Sequence, residues 1–123
     1  MSTKNIVLVI AEHDGQQLKK ATLSTIACAR QLGEVHVLVV GAGCAHAASD
    51  AARADGVAKT LYCDDACYAH PLAEALAPLV VSKATGYTHL LTPATTFGKD
   101  LMPRVAALLD VAQLSDVIAV VSP

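Results

Sequence analysis

Two runs of β-branched residues set the limits on this fold: Ile6-Val7-Leu8-Val9-Ile10 and Val35 to Val40. Continuous apolar runs of that length read as strands buried on both faces, which is the habit of parallel sheets. The segment between them is long enough for a crossover helix, which a parallel pair requires. That helix is expected from about Lys19 to Leu32, with Ala21, Thr25, Cys28, Ala29 and Leu32 sharing one face of a 3.6-residue period. Gly33 is expected to stop it in a left-handed conformation.

The same alternation continues along the chain. After Gly41-Ala42-Gly43 an alanine-rich helix spans Ala45 to Ala54, and a third strand covers about Lys59 to Cys63. His70-Pro71 opens a helix whose face is Leu72, Leu76, Leu79, Val80 and Lys83, with Pro78 inside it as an expected kink. A fourth strand runs from Thr88 to Thr92, a helix follows from about Lys99 to Leu109 with an irregularity at Pro103, and a last strand spans Val117 to Val121. This order predicts a three-layer α/β/α domain around a five-stranded parallel sheet, doubly wound, in the order 3-2-1-4-5. The chain has 123 residues, enough for one domain and too few for two. Ending at Ser122-Pro123, directly after a strand, it reads as a piece of a longer protein.

Composition narrows the function. A net charge of -2 argues against a nucleic-acid binder, which would carry a basic face. The run Ile6 to Ala11 is too short for a leader or a membrane span, so a soluble, cytoplasmic protein is expected. Cys28, Cys44, Cys63 and Cys67 are scattered and expected as reduced thiols. Cys63, Cys67 and His70 lack a second ligand pair, so no metal site is expected. His36 and His89 sit on strands, where a hydrogen-bonded structural role is the default, and no G-x-S-x-G elbow is present. No catalytic constellation emerges.

The stretch Thr92 to Arg104, "TPATTFGKDLMPR", has the look of a phosphate cradle. As a Walker A loop it fails, because Pro93 replaces the first glycine and Asp100 the final Ser or Thr. Gly41-Ala42-Gly43 fails as a dinucleotide fingerprint, with His46 at the third glycine position. Topology keeps the loop of interest. In order 3-2-1-4-5 the chain reverses between strands 1 and 4, where ligands favour the crevice. Glu12-His13-Asp14 would form one lip and Pro93 to Asp100 the other. Two readings stay open here: donors after Thr95 and Thr96 meet an anion, or these threonines cap the helix and the loop faces a partner.

The segments "IVLVIAEHDG", "DGVAKTLYCDDACYAHPLAEALAPLVV" and "YTHLLTPATTFGKDLMPRVAALLDVAQLSDV" closely resemble the amino-terminal domain of the alpha subunit of electron transfer flavoprotein. The likeness runs from about Asn5 to Val121 and is most specific from Thr92 to Asp116; Phe97 stands where that family often has a small polar residue. The resemblance implies an adenine-nucleotide-alpha-hydrolase-like fold and a single domain, residues 1–123, without the carboxy-terminal FAD-binding domain. It implies a heterodimer with a beta subunit and one FAD, held outside this piece. The intact carrier would take electrons from acyl-CoA dehydrogenases, as in fatty acid beta-oxidation, and pass them to electron transfer flavoprotein-quinone oxidoreductase. This domain would be a scaffold, not an enzyme, with Thr95, Thr96, Lys99 and Arg104 as interface candidates and no cofactor of its own. The rival reading is a free-standing adenine-nucleotide-binding module of the same fold.

Overall fold

A computed structural model describes residues 5–14, 16–65, 73–84, 86–93, 95–109, 113–114 and 119–121. In chain order the elements are β1 (Ile6–Ile10), α1 (Lys20–Arg30), β2 (Glu34–Gly41), α2 (Ala45–Arg53), β3 (Val57–Asp64), α3 (Ala73–Lys83), β4 (His89–Leu91), α4 (Thr96–Leu109), β5 (Gln113–Leu114) and β6 (Ala119–Val121). The sheet order is β3-β2-β1-β4-β6-β5. β1 pairs in parallel with β2 and β4, and β2 pairs in parallel with β3. The expected order 3-2-1-4 is therefore present, with four parallel strands.

The expected fifth parallel strand is not. β6 runs antiparallel to both β4 and β5. The crossover through α4 delivers β5, and the few residues from Leu114 to Ala119 are too short for another crossover, so the chain can only turn back. β6 then lies between β4 and β5. Val117, at the start of the expected strand, lies outside the described residues.

Strand alternation explains why both faces need cover. Leu8, Ile10, Leu38, Val40 and Leu90 point to one side and pack with Leu76, Ala77 and Val80 of α3 and Leu101, Met102 and Val105 of α4. Val7, Val9, Val35, Val37 and Val39 point to the other, against Ile26 and Ala29 of α1 and the small Ala47, Ala48 and Ala51 of α2. The buried face of α1 differs from the expected one. Thr22, Ile26 and Ala29 are buried, whereas Cys28 is exposed and Leu32 is 37% exposed. Thr22 enters the core because its hydroxyl finds backbone partners there, described below. Pro78 and Pro103 both lie within continuous helices, on exposed positions, each removing one bond to the carbonyl four residues earlier. Leu72, expected on the α3 face, lies outside the described residues.

Gly33 also serves a different purpose from the one expected. Among the described residues the glycines with positive φ are Gly43, Gly56 and Gly86. At Gly33 a Cβ would run into the Asn5 carbonyl, so glycine is required by the close approach of the chain entering β1.

Candidate functional site

β1 lies between β2 and β4, and the chain leaves the carboxyl ends of β1 and β4 towards helices on opposite faces. This is the topological switch point, where α/β sheets hold ligands. The first lip is the segment after β1. Thr22, 0% exposed, holds Glu12 by its main chain: the Thr22 hydroxyl accepts from Glu12 N–H and donates to Glu12 C=O, each at 2.8 Å. The Glu12 carbonyl also accepts from Lys19 N–H at 2.9 Å. His13 Nε2–H donates to the Val40 carbonyl at 2.8 Å, laying the ring over the end of β2. Asp14 Oδ1 accepts from Gln16 and Gln17 N–H at 2.9 and 2.8 Å, and these bonds pull its carboxyl below the usual carboxylate range, the Gln17 bond most.

The second lip follows β4. Thr95 stands just before α4; its carbonyl accepts from Lys99 N–H at 2.8 Å, as a helix-initiating residue does. Its hydroxyl points elsewhere, donating to Glu12 Oε1 at 3.0 Å and joining the two lips. Gly98 is buried, and a Cβ there would collide with the Pro93 carbonyl and the Thr92 hydroxyl. That hydroxyl is buried with no hydrogen-bond partner among the described residues.

A nucleotide phosphate at this end of the sheet would need free donors. The chain's own carboxylates hold several of them. Gly43 N–H, in the left-handed turn before α2, donates to Asp64 Oδ1 at 2.7 Å. Leu18 N–H, just ahead of α1, donates to Asp50 Oδ2 at 2.9 Å. Gln16 and Gln17 serve Asp14, and the Thr95 hydroxyl serves Glu12. Carboxylates of the chain thus occupy several donors at the carboxyl end of the sheet, with Glu12 and Asp14 on the first lip itself.

Of the four interface candidates, Thr95 carries a side-chain hydrogen bond to the opposite lip. Thr96 opens α4. Lys99 and Arg104 are exposed on α4 and make no ion pair among the described residues. Cys67 and His70 lie outside the described residues, and no group of three metal-ligating side chains occurs among the described ones. Cys44 is buried, which pushes its thiol pKa up. His36 bridges Tyr87 Oη at 2.8 Å and Glu34 Oε2 at 2.7 Å, and His89 Nδ1 meets the Thr88 hydroxyl at 2.9 Å. Sequence reading missed Thr22, Asp50 and Asp64. The one available signal was the spacing of Thr22 with Ile26 and Ala29, which shares a helix face.

The family model "Electron transfer flavoprotein domain" matches residues 7–123. The electron transfer flavoprotein subunit alpha of Pseudomonas aeruginosa is 52% identical over 118 residues, covering 95% of this chain and 38% of that relative. The subunit alpha of Paracoccus denitrificans is 49% identical over 115 residues, covering 93% of this chain and 37% of its own length. The mitochondrial subunit alpha of Dictyostelium discoideum is 41% identical over 119 residues, covering 89% and 34%. The chain thus spans little more than a third of these relatives. Among the described residues no helix is long and apolar enough to cross a membrane. With its order 3-2-1-4 parallel strands and a match along almost its whole length, the chain belongs to the electron transfer flavoprotein domain family, as the amino-terminal domain of the alpha-subunit type.

Proposed function

We propose that this chain is the scaffold domain of a cytoplasmic, heterodimeric electron carrier and performs no catalysis of its own. Residues 1–123 form one domain, and a separate carboxy-terminal domain of the alpha subunit holds the FAD with help from a beta subunit. The intact carrier collects electrons from acyl-CoA and related dehydrogenases and delivers them to a quinone oxidoreductase. The observation that supports a scaffold over a nucleotide-binding module is the occupation of donors on the crevice lips by Glu12 and Asp14, with Asp50 and Asp64 holding further N–H groups along the same end of the sheet.

Thr95, Thr96, Lys99 and Arg104 are assigned to contacts with the neighbouring domain or subunit. Lys99 and Arg104 are exposed cations without ion-pair partners among the described residues, and an interface would supply those partners. Co-expression of the full-length alpha and beta subunits tests this. Lys99→Glu and Arg104→Glu are expected to lower heterodimer yield while leaving the melting temperature of this domain unchanged. Equal yield and unchanged electron-transfer rate would remove the assignment.

A further inference from the structure

Glu34 and His36 lie two residues apart on β2 and share the face of the sheet that packs against α3 and α4. Tyr87, in the connection between α3 and β4, packs against the same cluster. Its main chain is fixed from both sides. Tyr87 N–H donates to the Ala84 carbonyl at 3.1 Å, and Thr88 N–H to the Ile6 carbonyl at 2.9 Å. Three side chains then join in a row at the amino end of the strands, away from the crevice. Glu34 Oε2 lies 2.7 Å from His36 Nε2, and His36 Nδ1 lies 2.8 Å from Tyr87 Oη. The two rings meet edge to face with centroids 5.3 Å apart, and the imidazole is 13% exposed.

The carboxylate decides where the protons sit. It can only accept, so His36 Nε2 carries the hydrogen; in the neutral ring Nδ1 is then a bare acceptor, and the Tyr87 O–H donates to it. Burial, and then the charge of Glu34, push the Tyr87 pKa up, so its oxygen keeps the hydrogen. A phenol that loses an electron becomes a strong acid. Its oxidation is easy only where a base within hydrogen-bond reach takes the proton. Tyr62 offers the contrast: it is 57% exposed, and its hydroxyl has no hydrogen-bond partner among the described residues.

We propose that Tyr87 is a site of one-electron oxidation in this domain, with His36 as its proton acceptor and Glu34 as the group that orients the imidazole. One electron leaves the phenol for a strong one-electron oxidant, such as a trivalent ruthenium polypyridyl complex. The phenolic proton crosses from Oη to His36 Nδ1. The products are a neutral tyrosyl radical, an imidazolium and the reduced oxidant. The Nε2–H bond to Glu34 stays in place, and the carboxylate stabilises the imidazolium. When the radical is reduced, the proton returns along the same bond. The site uses no residue of the crevice, so it stands independently of the scaffold assignment.

Flash photolysis of the purified chain with tris(bipyridine)ruthenium and an electron acceptor tests the idea, read by the absorption of the neutral tyrosyl radical. Tyr62→Phe combined with Tyr68→Phe leaves Tyr87 as the one tyrosine. This variant is expected to form the radical. In the same background His36→Gln keeps a hydrogen-bond acceptor but no base, and is expected to slow radical formation at least about tenfold. Loosening Tyr87 alone would expose it to the oxidant and leave the rate as fast or faster, so a slower rate reads the lost base. Glu34→Gln is expected to slow formation by a smaller factor, since His36 still takes the proton. A chain with Tyr87 alone that forms no radical, or a rate indifferent to His36→Gln or to Glu34→Gln, would overturn the proposal.

Discussion

The hydroxyl of Thr95 donates to the carboxylate of Glu12 across 3.0 Å, tying the loop after β1 to the start of α4. Partly buried bonds to a charged group contribute roughly 1.5–3 kcal/mol in favourable cases. Thr95→Val and Glu12→Met are each expected to lower stability by about 1 kcal/mol, with a coupling of at least ~0.5 kcal/mol in the double variant. Urea unfolding of the two single variants and the double variant measures it. Strict additivity would mean that the lips are not energetically joined.

Thr22 acts one step behind that contact. Thr22→Val keeps the shape, leaves the Glu12 N–H without its partner and removes one of the two donors to the Glu12 C=O, at an expected loss of about 1–3 kcal/mol. Thr22→Ser keeps the hydroxyl and is expected to lose less. Unfolding midpoints in the same denaturant separate the two, and equal losses would assign the effect to the methyl group.

Gly98→Ala sets helix propensity against space. Alanine favours a helix interior by about 1 kcal/mol. Here the new methyl meets the Pro93 carbonyl and the Thr92 hydroxyl, so the net effect is expected to be destabilising by about 1–3 kcal/mol. A rise in melting temperature would show that the β4–α4 junction yields.

These contacts mark the limit of what the residues disclose on their own. The buried runs Ile6–Ile10 and Val35–Val40 announced the parallel strands, because burial on both faces leaves no polar alternation to misread. β6 was placed beside β4 but with the wrong direction, since direction depends on β5, whose two residues carry no periodic signal. The face of α1 was misjudged because alanine, threonine and cysteine fit either side, and Thr22 is buried by bonds that hydropathy does not register. The acids at the crevice were legible as charges. Their occupation of particular N–H groups required the fold, since Asp50 and Asp64 come from α2 and β3.

Asp14 sets an acid limb. Its folded-state pKa lies below the ordinary carboxylate range, chiefly through the bonds from Gln17 and Gln16 N–H. A depressed carboxylate pKa stabilises the fold above the unfolded value, and that contribution disappears as pH falls through the folded value. Asp14→Ala is therefore expected to flatten the decline in melting temperature below about pH 4 and to lose stability near neutrality. Parallel curves for both proteins would exclude this role.

Thiol reactivity is expected to follow burial. Cys28 is exposed on α1, whereas Cys44 is buried with its thiol pKa raised by desolvation. Alkylation of the native chain followed by peptide mass spectrometry is expected to label Cys28 at least about tenfold faster than Cys44. Comparable rates would mean that the turn before α2 opens readily.

Calorimetric titration of the purified chain with AMP, ATP and FAD goes directly to whether the crevice is closed by its own carboxylates. No saturable heat is expected with any of them while the fold is intact. Micromolar binding of any one would contradict a scaffold role and restore the nucleotide-binding alternative.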